Sequence, residues 1–131
     1  MPVVFIVHGT PAPQGSKRAF RNQHTGRIAM VESSSKVKPW RQAVKFAWAE
    51  LGREGVSFPA PAAVHAYVAF YLPRPQGHFG TGKNAGVIKD SAPRHPAGKP
   101  DIDKLLRSTL DGIGEAGAWT DDAQVVTAIA E

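Results

Sequence analysis

The chain has no cysteine, which excludes a disulfide framework, thiolate metal ligands and a cysteine nucleophile. Long apolar runs are also missing. The longest, Ala62 to Leu72, is interrupted by His65 and is too short to span a bilayer. No basic lead precedes the N-terminal Val/Ile segment, which does not read as a signal peptide, so a cytoplasmic protein without a membrane partner is expected. Acidic residues are scarce over most of the chain. Residues 1–100 hold 4 Asp/Glu against 14 Lys/Arg, a net of +10, whereas residues 101–131 hold 7 against 2, a net of −5; together these make the overall +5.

What is present fits one small folded domain. A length of 131 residues suffices to bury a core, and 42% hydrophobic with 21% charged residues is a globular composition. A chain that is basic for three quarters of its length suits a polyanion, because phosphate contacts supply most sequence-independent affinity. Acids gathered at one end would repel that partner unless a divalent cation reversed the local sign, as in a nuclease. Charge alone fits a basic protein with an acidic tail equally well.

Val3 to His8 has the pattern of a buried strand stopped by Gly9, Pro11 and Pro13. A basic loop follows, with Lys17, Arg18 and Arg21, leading to a short strand around Arg27 to Val31. Ser33, Ser34 and Ser35 offer N-caps for a helix over 36–53, in which Trp40, Val44, Ala47, Trp48 and Leu51 form one apolar stripe. That spacing makes the tryptophans core residues rather than base-stacking platforms. Alternating apolar residues predict a second strand over 63–72, where His65 is a packed or hydrogen-bond-satisfied strand residue rather than a catalytic one. Residues 73–99 contain four prolines and five glycines with Arg74, Lys83, Lys89, Arg94 and Lys99. They predict a long mobile basic loop without regular structure, one that orders on nucleic acid. Within it Gly77-x4-Gly82-Lys83 imitates a phosphate loop, but Asn84 replaces the Ser/Thr that would reach Mg²⁺, and no buried strand precedes it.

The chemistry concentrates after Lys99. Pro100 ends the loop and Asp101 is a natural N-cap. Ile102, Leu105, Leu106, Leu110 and Ile113 then have the spacing of a helix's buried face, which puts Asp101 and Asp103 at the helix N-terminus and Arg107 one turn beyond Asp103. Gly112, Gly114 and Gly117 end the helix, and Asp121-Asp122 leads into a last strand, 123–130. A helix of about 11 residues is about 16 Å long, and an extended connection of seven residues reaches roughly 24 Å, so the second acidic pair can return to the first. Carboxylates without Cys or His partners favour Mg²⁺ or Mn²⁺ over Zn²⁺ and can support in-line phosphodiester hydrolysis, with Arg107 or Lys104 offsetting charge in the transition state. The same residues could equally cap a helix and occupy a turn.

The stretch Lys99 to Val126, with Asp101-x-Asp103, a small-residue turn and Asp121-Asp122-x-Gln124-Val125, resembles the signature of the RusA family of Holliday junction resolvases. The Gly9 to Arg18 element and Pro73-Arg74-Pro75 are also similar to members of that family, many of them phage-encoded. The resemblance implies an α/β domain with a mixed sheet and two main helices. It implies a homodimer that makes paired nicks in four-way junctions, in a bacterial host cytoplasm and from a phage or prophage gene. It assigns Asp101, Asp103 and Asp122 to Mg²⁺ (or Mn²⁺) and leaves the adjacent Asp121 a less defined role. Two positions depart from the family: its Asn is Lys104 here and its catalytic Lys is Arg107. Arginine keeps the charge but cannot transfer a proton, so Lys104 is the alternative ammonium. Relatives also continue past the position of Glu131, which leaves the sheet edge open. Lys17, Arg18, Arg21, Arg74, Lys83, Lys89, Arg94 and Lys99 are the candidate DNA contacts. The competing expectations are a catalytically silent branched-DNA-binding protein and a nuclease for other branched DNA.

Overall fold

The computed structural model describes residues 2–14, 17–21, 25–26, 28–32, 35–53 and 55–131, with backbone alone for 17–21 and 28–32. Two helices carry the core. Helix α1, Val37–Gly52, buries Val37, Trp40, Val44 and Trp48, a stripe at i, i+3, i+7 and i+11. Its N-cap is Lys36, which makes no side-chain cap. Ser35 stands one residue too early for that role, and Ser33 and Ser34 lie outside the described residues.

Helix α2, Ile102–Glu115, buries Leu105, Ser108, Thr109, Gly112 and Ile113. The buried face is therefore rotated from the apolar stripe that the sequence predicts. Ile102, expected inside, is 47% exposed, although Leu105 in the same turn is buried. Small residues take the interior positions because α1 passes close by. A Cβ on Gly112 would sit 3.1 Å from Val44 Cγ1 and 3.2 Å from its Cβ. Beside this contact the Trp40 indole Nε1 donates to Thr109 Oγ1 at 3.1 Å, and that hydroxyl donates to the Leu105 carbonyl. At the rim, Glu115 of α2 receives both Arg41 and Lys45 of α1.

In place of one mixed sheet, the described residues form two small ones. Strands β1 (Lys17–Arg21) and β2 (Ile28–Glu32) pair antiparallel, so the basic loop expected at 17–21 is a strand. Strands β3 (Val64–Val68) and β4 (Val125–Ala130) pair parallel, with Tyr67 opposite Ile129. Parallel neighbours need a crossover, and the 73–99 loop with α2 supplies it. Val3–Val7 is extended, with Val3, Phe5 and Val7 packed on the core and Val4 and Ile6 facing out. It belongs to no strand: one face of this segment packs on the core, for instance Phe5 edge-on to Trp48, and no ladder partner flanks it among the described residues.

The 73–99 segment has more local order than its composition predicts. It holds 3-10 turns at Gln76–His78 and Gly82–Asn84 and an antiparallel bridge between Phe79 and Ile88. Gly80 N donates to Val87 O, and a Cβ at Gly80 would collide with Asn84 at 2.7 Å. Arg74 closes the base by donating to the Pro93 carbonyl at 2.8 Å. Among the described residues no helix is long and apolar enough to cross a membrane.

Gly112→Val tests the helix contact. Val44 is fully buried and has no room to yield, so the added side chain should destabilise the fold by about 1–3 kcal/mol. Thermal unfolding at or above the wild-type midpoint would show that α1 and α2 can separate freely.

Candidate active site

Helix α2 turns its other face outward. Asp103, Arg107 and Asp111 follow one another at i, i+4 and i+8 along it. With Leu106 and Leu110 of the same helix and Trp119, Asp122 and Val125 from the returning chain, they line an open pocket of about 330 Å³. Asp103 and Arg107 have no hydrogen-bond or ion-pair partner among the described residues.

The Asp121-Asp122-x-Gln124 turn is held with little slack. Gln124 Oε1 accepts from the Thr120 and Asp121 amides, while its Nε2 donates to the Phe58 and Ala62 carbonyls. Every polar atom of this buried side chain is used, as its burial requires. Asp121 accepts from Ala123 N and completes a capping box on the 3-10 turn Asp122–Gln124. Its carboxylate therefore serves the turn and does not line the pocket. Asp122 does line it, and its Oδ1 accepts from the Trp119 indole at 2.9 Å. This pair sits against Gly114, where a Cβ would lie 2.8 Å from Trp119 Nε1 and 3.0 Å from Asp122 Oδ1.

Asp101 occupies the N-cap of α2 without capping it. Its carboxylate meets the Lys99 ammonium at 2.9 Å and Lys104 at 3.5 Å. The Lys99 hydrogen bond, with smaller help from Lys104, holds this carboxyl below its usual range. Lys104 is thereby drawn to Asp101, whereas Arg107 faces the pocket. Of the candidate DNA contacts, Lys83, Lys89 and Arg94 are exposed and unpaired among the described residues. Arg74 is tied into its loop and Lys99 to Asp101. The side chains of Lys17, Arg18 and Arg21 lie outside the described residues.

Asp103 and Asp122 share the pocket but stand toward opposite ends of it. Gly114, under Asp122, is eleven residues beyond Asp103, an axial rise of about 16 Å. Accordingly, no three Asp, Glu or His side chains converge tightly enough to enclose one ion among the described residues. The donor chemistry nevertheless fits a hard divalent cation: oxygen ligands alone, with the Asp103 carboxylate unengaged.

Two pocket residues were not legible as site residues in the sequence. Trp119 orients Asp122, and Asp111 is the third carboxylate of the pocket, the second on the outward face of α2. Asp111 Oδ2 accepts a 2.7 Å hydrogen bond from Gln14 Nε2, across 97 residues of sequence. The Gln14 amide donates to Lys104 O, and Ser108 Oγ donates to Ala12 O at 2.6 Å. The Pro11–Gln14 segment thus lies along α2 at 104, 108 and 111, one helical face. Gln14 is 6% exposed, yet its Oε1 has no partner among the described residues. A hydrogen bond to a charged group contributes about 1.5–3 kcal/mol, and a buried orphan acceptor costs about 1–3 kcal/mol. The two nearly cancel, so Gln14 adds little net stability.

A search of curated proteins finds no match to this sequence. The family model of endodeoxyribonuclease RusA matches residues 8–131, a span that includes the proline-rich segment, the outward face of α2 and the Asp-Asp turn, and the chain therefore belongs to the RusA endodeoxyribonuclease family.

Proposed function

We propose that this chain resolves four-way (Holliday) DNA junctions by metal-dependent, paired phosphodiester hydrolysis, acting as a homodimer. The observation that carries the proposal is the joint placement of Asp103, Arg107 and Asp122 around one open pocket in a RusA-family chain. The setting is a bacterial host cytoplasm, from a phage or prophage gene, in DNA recombination or repair.

Asp101 and Asp103, at the start of α2, and Asp122, at the far end of the pocket, are the carboxylates that would take up Mg²⁺ or Mn²⁺, with Asp121 adjacent. Such an ion, when bound, supplies water activation and neutralises charge on the phosphodiester. Arg107, permanently charged and unpaired among the described residues, binds the scissile phosphate and offsets charge that builds on its oxygens. It cannot move a proton near neutral pH. Lys104, drawn to Asp101, orients that carboxylate instead. Trp119 aims Asp122. The exposed Lys83, Lys89 and Arg94, with Lys17, Arg18, Arg21, Arg74 and Lys99, supply the phosphate contacts that attract a duplex arm.

The dimer draws support from the outer face of the β3–β4 sheet. There Tyr67 and its partner Ile129 are 72% and 51% exposed, beside the linked His65–Thr127 pair. Such an apolar sheet face suits burial against a second copy. A second reading, a catalytically silent branched-DNA-binding protein, is favoured by the spread of the carboxylates and by Arg107 in place of lysine. A third substrate class, flaps or other branched DNA, is separated by the same assay.

Incubated with a labelled synthetic four-way junction, the protein should make symmetric incisions with Mg²⁺ or Mn²⁺ and none with EDTA. Asp103→Asn should lose at least 100-fold in cleavage rate while still shifting the junction in a gel. Uncut junction with wild-type protein would leave the silent-binder reading, and preferred cutting of a flap would redirect the substrate. Junction affinity should fall steeply with salt, and Lys83→Glu with Lys89→Glu should flatten that slope; an unchanged slope would move the DNA surface elsewhere. Tyr67→Asp with Ile129→Asp should convert a dimer to a monomer in light scattering, and an unaltered dimer would place the interface on another face.

A further inference from the structure

Gln14 and Asp111 form a polar contact that the reaction described above does not use. Asp111 lies one turn before the end of α2, and no basic residue occupies the last turn. It has no ion-pair partner among the described residues. Among the described residues its carboxylate accepts one hydrogen bond, from Gln14 Nε2 at Oδ2; Oδ1 is left unengaged on a side chain that lines the pocket. Gln14, more than nine-tenths buried, aims its carboxamide nitrogen at this carboxylate while its own oxygen has no partner among the described residues. An apolar residue would fill the same space without either demand. Asp122 stands over Gly114, one turn beyond Asp111, so these two carboxylates share one end of the pocket while Asp103 is at the other.

We propose that Asp111 is a further carboxylate of the nuclease site, acting with Asp122 as a divalent-cation ligand, and that Gln14 is the positioning residue that aims it. This rests on the metal-dependent reading of the pocket. A cation at this end would offset the negative charge that the two acids bring to it. Gln14 would act as outer-shell partners of metal-binding carboxylates do, by fixing the orientation of a ligand it does not replace. The Pro11–Gln14 segment thereby becomes part of the site. Its backbone is clamped at Lys104 and through Ala12 at Ser108, which fixes where the Gln14 side chain starts.

The experiment is a Mn²⁺ titration without DNA, read by electron paramagnetic resonance of the free ion, alongside unfolding temperatures in EDTA. Asp111→Asn keeps an acceptor for Gln14 Nε2 and removes the charge. It should weaken Mn²⁺ binding about 10-fold or more while the EDTA unfolding temperature stays near wild type. Gln14→Leu keeps the Asp111 charge but removes its donor, and should weaken Mn²⁺ binding in the range of about 10- to 100-fold typical of outer-shell partners. If Asp111→Asn does not fold, Gln14→Leu decides alone. Wild-type Mn²⁺ affinity in Gln14→Leu, with or without a lowered unfolding temperature, would overturn the proposal and leave the pair a structural tie. A wild-type protein that takes up no Mn²⁺ would overturn it too. Junction cleavage is scored separately. Mn²⁺ binding through Asp111 without junction cleavage would sink only the resolvase reading, and cleavage with unchanged Mn²⁺ binding in both variants would sink only this one.

Discussion

The close approach of α1 and α2 at Gly112 is the contact on which the rest depends. Val44 occupies the space a Cβ on Gly112 would need, and the Trp40 indole reaches Thr109 because the helices are this near. Small and hydroxylated residues therefore make up much of the inward face of α2. With that face committed, Asp103, Arg107 and Asp111 have one direction left, toward solvent and the returning chain.

Two further restraints turn an acidic helix into a pocket. Gln124 pins the Asp-Asp turn to the 58–62 segment with four hydrogen bonds, and Trp119 then holds Asp122 over Gly114. On the other side the Pro11–Gln14 segment is fastened along α2. Both are polar restraints in the interior, where an unmet donor or acceptor is expensive; Gln124 is fully satisfied, whereas Gln14 keeps an orphan Oε1 among the described residues. Their geometry is accordingly narrow, as a site that must place charges demands.

Charge is sorted along the same lines. Lys99 and Lys104 gather at Asp101, at the N-terminus of α2. Arg41 and Lys45 gather at Glu115, at its C-terminus. The acids between these two clusters, Asp103, Asp111 and Asp122, have no such cationic partner among the described residues.

Much of this was legible in the sequence, because it depends on near neighbours. Helical spacing located α1 and α2, alternation located β3, and Asp101-x-Asp103 with Asp121-Asp122 marked the acidic segment. The Asp121-x-x-Gln124 spacing was itself a capping-box signal that could have separated the roles of the two adjacent acids. Tertiary structure decided the rest. Which face of α2 is buried depended on Gly112 meeting Val44, an interhelical fit that no apolar count records. The Val3–Val7 segment has a strand's pattern, but pairing needs a neighbouring edge as well as a pattern. Gln14 and Asp111, 97 residues apart, each look like an ordinary polar residue in sequence. Only the folded chain buries one and aims it at the other, because side-chain hydrogen bonds of this kind are set by position in space and carry no periodicity along the chain.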